Sequence, residues 1–133
     1  MFLLDTCIVL ELLLDQEKAG EVERFLHNIS PDLLHLSEFS LYSLGVILLR
    51  RQAFDVFLQI VDDLLLTGGV SLVRLGPENM DEVVRAAQSF RLDFDDAYQY
   101  AVAAKHDLTI VSFDSDFDHT ERQRRTPAEL LRA

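Results

Sequence analysis

Apolar residues along this chain fall into two alternating rhythms, short unbroken runs and longer stretches with helical spacing. Met1 to Leu4 is a run of the first kind, long enough for a buried strand and ended by Asp5. Thr6 to Leu14 is apolar on most faces and reads as a helix packed into the core. From Glu17 to Asn28 charged and hydrophobic residues alternate at helical intervals, with Val22, Phe25 and Leu26 on one side. Ser30, Pro31 and Asp32 mark a turn, and Leu33 to Leu36 fits a second short strand. Ser37 is placed to cap a helix over Glu38 to Arg50.

Another helix is expected over Ala53 to Leu66, stopped by Gly68 and Gly69, and then a third strand over Val70 to Leu75. Pro77 opens a helix reaching Phe90, at a position where no backbone donor is needed. A helix over 95 to 106 follows, and Leu108 to Phe113 is strongly strand-like. Short strands alternating with helices imply an α/β fold, a parallel sheet with helices on both faces.

Composition narrows this picture. A chain of 133 residues fits one domain, 1–133, and 49% hydrophobic residues exclude disorder. Charges interrupt every Leu-rich stretch well before the ~18 residues a membrane span needs. The N-terminus lacks a basic region and carries acids inside its apolar run, which makes it a poor signal peptide. The single cysteine, Cys7, cannot form an internal disulfide and reads as a small core residue. The compartment expected from these features is the cytoplasm.

A net charge of −11 argues against holding nucleic acid mainly by neutralising phosphates. It leaves room for carboxylates gathered around divalent cations, which invert the local field. Positive charge is uneven, with Arg122, Arg124 and Arg125 together near the C-terminus. Those arginines read either as a backbone-binding patch for RNA or as a solvated tail.

The acids are unevenly placed as well. Asp5 follows the first predicted strand, Asp114 and Asp116 follow the last, and Asp95 and Asp96 open the helix leading into that last strand. In parallel sheets, ligand sites form beyond the carboxyl ends of the strands, and a right-handed crossover brings these three places together. Clustered carboxylates repel unless a cation neutralises them, and an all-oxygen set suits Mg²⁺ or Mn²⁺. Such a site suggests metal-assisted hydrolysis of a phosphodiester. Each acid also has a plainer reading. Asp93 is expected to cap the helix, and Asp95 to cap it or support a ligand. Asp114 and Asp116 could form an Asx-turn, Asp118 reads as solvated, and the four histidines are too scattered for a transition-metal site. Asp5 between two apolar runs, and Asp96 before small Ala97, favour ligand roles.

The succession LLDTCIVLELLL, LSEFSLYSLG, DDAYQYAVA and IVSFDSDFD resembles the PIN domain, a fold of metal-dependent ribonucleases. The resemblance implies a three-layer α/β domain with a short central parallel sheet. It implies metal ligands at Asp5, Asp96 and Asp114, with Asp116 beside the last. The family's remaining acid, a Glu in the helix after strand two, is replaced here by Ser43, while Glu38 lies more than a turn earlier and is carried as a lesser candidate. Many small PIN proteins resembling this one are the toxin halves of toxin–antitoxin pairs. The expectation is therefore an endoribonuclease with an RNA substrate, an antitoxin partner inserting a basic side chain, and a homodimer through the apolar helices between 38 and 66. The Ser43 departure and the acidic balance favour a competing reading, an interaction module with an impaired metal site. A phosphatase of the haloacid-dehalogenase type is excluded because Cys7 stands where that family needs a second Asp.

Overall fold

The computed structural model describes residues 1–132. Four strands, β1 (Phe2–Leu4), β2 (Leu34–Ser37), β3 (Ser71–Val73) and β4 (Thr109–Val111), form one parallel sheet in the order β3-β2-β1-β4. The chain runs outward from β1 to β2 and β3, then crosses back to lay β4 on the other side of β1. The sheet order thus reverses between β1 and β4, where the carboxyl ends of neighbouring strands open a crevice.

Adjacent strand residues face opposite sides, as the pleat requires. Leu3 and Ile110 enter one core cluster, and Leu4 and Val111 the other. The first cluster is covered by α5 (Met80–Phe90) and α6 (Phe94–His106) through Val83, Ala86, Ala97 and Val102. The second is covered by α1 (Thr6–Leu13), α2 (Ala19–Asn28), α3 (Glu38–Arg50) and α4 (Phe54–Val61), through Ile8, Val22, Phe25, Leu44 and Ile60. A last helix, α7 (Pro127–Arg132), packs against α2. Helix, sheet and helix make the three layers expected.

The elements are those the hydrophobic pattern predicts, with shorter strands and one altered helix. The helix expected over 53 to 66 is α-helical only to Val61 and widens into a π turn over Asp62–Leu66. Gly68 follows its end, at a place where a Cβ would overlap the Asp63 carbonyl oxygen and only glycine fits. Gly45 has a different role: a Cβ on it would lie 3.2 Å from Phe57 Cζ, so its bareness lets α4 lie close against α3. No helix among the described residues is long and apolar enough to cross a membrane.

Candidate metal centre

Asp5 leaves β1 and caps α1, its Oδ1 accepting the Thr6 N–H at 2.9 Å. Its own N–H donates to the Val111 carbonyl at 3.0 Å, which seats it beside the end of β4. There the Ser112 hydroxyl donates to Asp5 Oδ2 at 2.7 Å, while the same hydroxyl accepts the Asp114 N–H at 2.9 Å. Gln99 Nε2 donates to Asp5 Oδ1 at 3.1 Å. Asp5 is only 8% exposed, and a carboxylate so deep requires these donors.

Asp96 sits in the first turn of α6, also 8% exposed, and its N–H is capped by Asp93 Oδ1 at 3.3 Å. Burial first, and then the negative charges of Asp114, Asp93 and Asp5, push its carboxyl up to about 8. Asp114 caps the short turn Ser115–His119, its Oδ1 accepting the Asp116 N–H at 2.9 Å. The Asx-turn and the site role therefore coexist in one residue. Carboxylate oxygens of Asp96, Asp114 and Asp116 all lie within 4.8 Å of one another. Asp5 stands just outside this triplet and lines the same cleft of about 290 Å³ with Asp95, Asp96 and Asp114.

The far wall of the cleft belongs to α3, whose Phe39, Ser43 and Ile47 recur every four residues and so share one face. Ser43 brings a hydroxyl to the position where a carboxylate was expected. Glu38 does not compensate: it is one residue out of phase with that face and pairs with Arg74, just past β3, at 3.7 Å. Glu38 is therefore not among the residues that line the cleft or form the acidic triplet.

The three arginines separate. Arg122 donates to Asp107 Oδ1 at 2.8 Å and to the Leu108 carbonyl, at the opposite end of β4 from the cleft. Arg125 pairs with Glu129 at 3.4 Å. Only Arg124 approaches the centre, clamped on Asp118 and donating to the Ser112 carbonyl at 3.3 Å. Asp118 is exposed, as expected, and pairs there with Arg124, and a single basic patch does not form.

Behind the acids stand Ser37, the expected cap of α3, and four polar groups that the sequence pattern does not single out as site residues, Thr6, Ser40, Gln99 and Ser112. A signal for two of them was present: Gln99 interrupts a buried helical run and Ser112 a buried strand end, and polar groups there need partners. Cys7 packs against the second core cluster, as expected, and also reaches the site. Its thiol lines the cleft 3.7 Å from Asp5 Oδ2, raised to about 11 by burial and then by the Asp5 charge, and so remains a protonated donor at neutral pH. The donor set is therefore carboxylate oxygen throughout, which fits a hard divalent cation.

The sequence matches the PIN domain family over residues 2–123, and the chain belongs to that family. No curated protein sequence matches it. Among solved structures, it resembles a toxin–antitoxin complex from Klebsiella pneumoniae with a TM-score of 0.77 and 17% identity, over 96% of this chain and 98% of that one. VapC20 of Mycobacterium tuberculosis, a sarcin-ricin loop cleaving toxin, matches with a TM-score of 0.72 and 19% identity, over 91% and 95%. FitAB bound to a DNA fragment matches with a TM-score of 0.76 and 18% identity, over 96% and 95%. At these identities the likeness establishes the shared fold.

Proposed function

We propose that this protein is a divalent-metal-dependent endoribonuclease and the toxin half of a toxin–antitoxin pair. The observation that carries the reading is the Asp96, Asp114 and Asp116 triplet gathered beside Asp5 at the crevice between β1 and β4. The raised proton affinity of Asp96 is the mark of a site short of positive charge.

In this reading Asp5, Asp96, Asp114 and Asp116 hold Mg²⁺ or Mn²⁺. The bound cation would supply a Lewis acid that activates water and neutralises phosphate charge. Asp5 is held rigid by Ser112 and Gln99, so little reorganisation accompanies binding. Asp95 lies exposed at the mouth, where it repels backbone phosphate unless the centre is charged by metal. Ser43 offers a neutral hydroxyl to a water or phosphate oxygen. Arg124 is the one arginine of its group near enough to add positive charge at the crevice.

An apolar groove lined by Phe39, Tyr42, Val46 and Ile47 adjoins the cleft and shares Phe39, Ser43 and Ile47 with it. That continuity supports an antitoxin segment lying on α3 with a basic side chain in the acids. The exposed Tyr42, Val46, Leu49, Phe54 and Leu58 likewise suit a homodimer through α3 and α4. The same groove, together with Ser43, favours the second reading, a PIN-fold interaction module with weak metal binding. Incubating purified protein with a mixed pool of labelled RNAs, in Mn²⁺, Mg²⁺ or EDTA beside Asp96→Asn, separates the two. Metal-dependent cuts absent from the variant are expected. No cutting by folded, inhibitor-free protein would transfer the case to the interaction module.

A further inference from the structure

We propose that Gln99 is a positioning residue that fixes which oxygen of Asp5 is free to meet a bound divalent cation. This rests on reading the acidic cleft as a metal centre, and it concerns a residue outside the acidic set.

Gln99 lies three residues after Asp96 on α6, so it shares the cleft-facing side of the helix one turn deeper. It is 2% exposed, and its side-chain amide bonds to side chains of other elements. Nε2 donates to Asp5 Oδ1 at 3.1 Å and to Ser40 Oγ at 2.9 Å, while Oε1 accepts from Ser37 Oγ at 2.7 Å. One amide therefore ties α6, the start of α3 and the end of β1 together.

The chemistry allows only one orientation. An ionised carboxylate accepts and cannot donate, so the amide must turn its nitrogen toward Asp5. Oε1 is then left facing Ser37, whose hydroxyl supplies the proton; its oxygen also accepts the Ser40 N–H as the cap of α3. Both amide hydrogens are spent. On the other side, Asp5 Oδ1 already accepts from Thr6 N–H, so Gln99 fills its remaining capacity. Oδ2 accepts the Ser112 hydroxyl at 2.7 Å, and its second position holds only the Cys7 thiol at 3.7 Å, a weak contact that a cation would displace. Gln99 thus makes Asp5 a single-oxygen ligand of fixed direction. Being neutral, it does so without adding another charge to a crowded acidic centre.

Gln99→Met keeps the length of the side chain and removes the donor. Mn²⁺ binding is measured by calorimetry, the bound ion's spectrum by electron paramagnetic resonance, and Tm in EDTA by thermal denaturation. The variant is expected to fold, to bind Mn²⁺ about 10- to 100-fold more weakly, and to give an altered spectrum. A purely structural role would lower Tm and leave the affinity and spectrum of the folded variant at wild-type values, which overturns the proposal. Should Gln99→Met not fold, Ser37→Gly carries the test, since glycine is a tolerated helix cap but leaves Oε1 without the donor that sets the amide's orientation toward Asp5. Weaker Mn²⁺ binding is expected there, and wild-type binding again overturns it. Wild-type protein that binds no Mn²⁺ at millimolar concentration sinks the metal centre itself. Wild-type protein that binds Mn²⁺ without cutting RNA sinks the ribonuclease and leaves Gln99's role standing.

Discussion

Asp93 Oδ1 accepts the backbone N–H of Asp96 at 3.3 Å, so the residue that caps α6 also stands as a negative charge beside the most perturbed acid in the protein. The two roles separate by substitution. Asp93→Asn keeps a good cap and removes the charge; it should leave stability nearly unchanged while lowering the proton affinity of Asp96. Asp93→Ala removes both and should cost about 1 kcal/mol in urea denaturation.

Asp96 fixes the direction of the pH dependence. Its carboxyl is raised from an ordinary 3.8 to about 8 in the folded protein, chiefly by burial. The folded state therefore holds a proton that the unfolded state has already released between those values. The contribution is fully present below about pH 4 and is lost as pH rises through about 8. In EDTA, wild-type Tm should fall across this window more than that of Asp96→Asn. At pH 8 the variant should be the more stable by at least about 1 kcal/mol, given that a tenfold change in proton affinity is worth ~1.4 kcal/mol.

Added Mn²⁺ should reverse that trend. A cation binding only the folded protein at a hundred times its Kd raises stability by about 2.7 kcal/mol. Thermal denaturation at pH 8 should show a rise for wild type and little or none for Asp96→Asn. An equal rise in both would place the ion elsewhere.

Ser43→Glu restores a carboxylate to the cleft-facing side of α3. Mn²⁺ affinity measured by calorimetry should increase, and RNA cleavage with it. A loss of affinity in a folded variant would mean that the side chain cannot reach the other acids.

Arg122→Ala should leave RNA affinity in a filter-binding assay unchanged, because the guanidinium is engaged at the far end of β4. Its partner Asp107 is 95% exposed, and an ion pair so open to water is worth at most about 1 kcal/mol.

The main elements are legible in the sequence because their ends are sharp. An apolar run stops at Asp5, and Asp93 and Ser37 are good caps in front of long helices. Strand lengths are less legible, since apolar residues extend past the ladder. Leu108 is buried, but its N–H goes to Ala103 at the end of α6, and Ser112 already turns to serve Asp5 and Asp114. The acids of the site announce themselves by position. Their support does not, because Gln99 meets Asp5 across 94 residues and Ser112 across 107. Glu38 lies apart from them for a different reason: one residue of helical phase, about 100°, turns it from the cleft toward Arg74.

Beyond β4, the tail returns to the sheet at Arg125, whose N–H donates to Ile110 at 2.8 Å and whose carbonyl accepts from Ser112 at 3.1 Å. β4 is an outer strand, and outer strands recruit other chains through their unpaired amides. The tail occupies that seam itself, on the strand whose end carries Ser112 and Asp114. A chain cut before Arg125 would lose this seal, and its first failure would be self-association along β4, with the acids still in the sequence but their scaffold shared among copies.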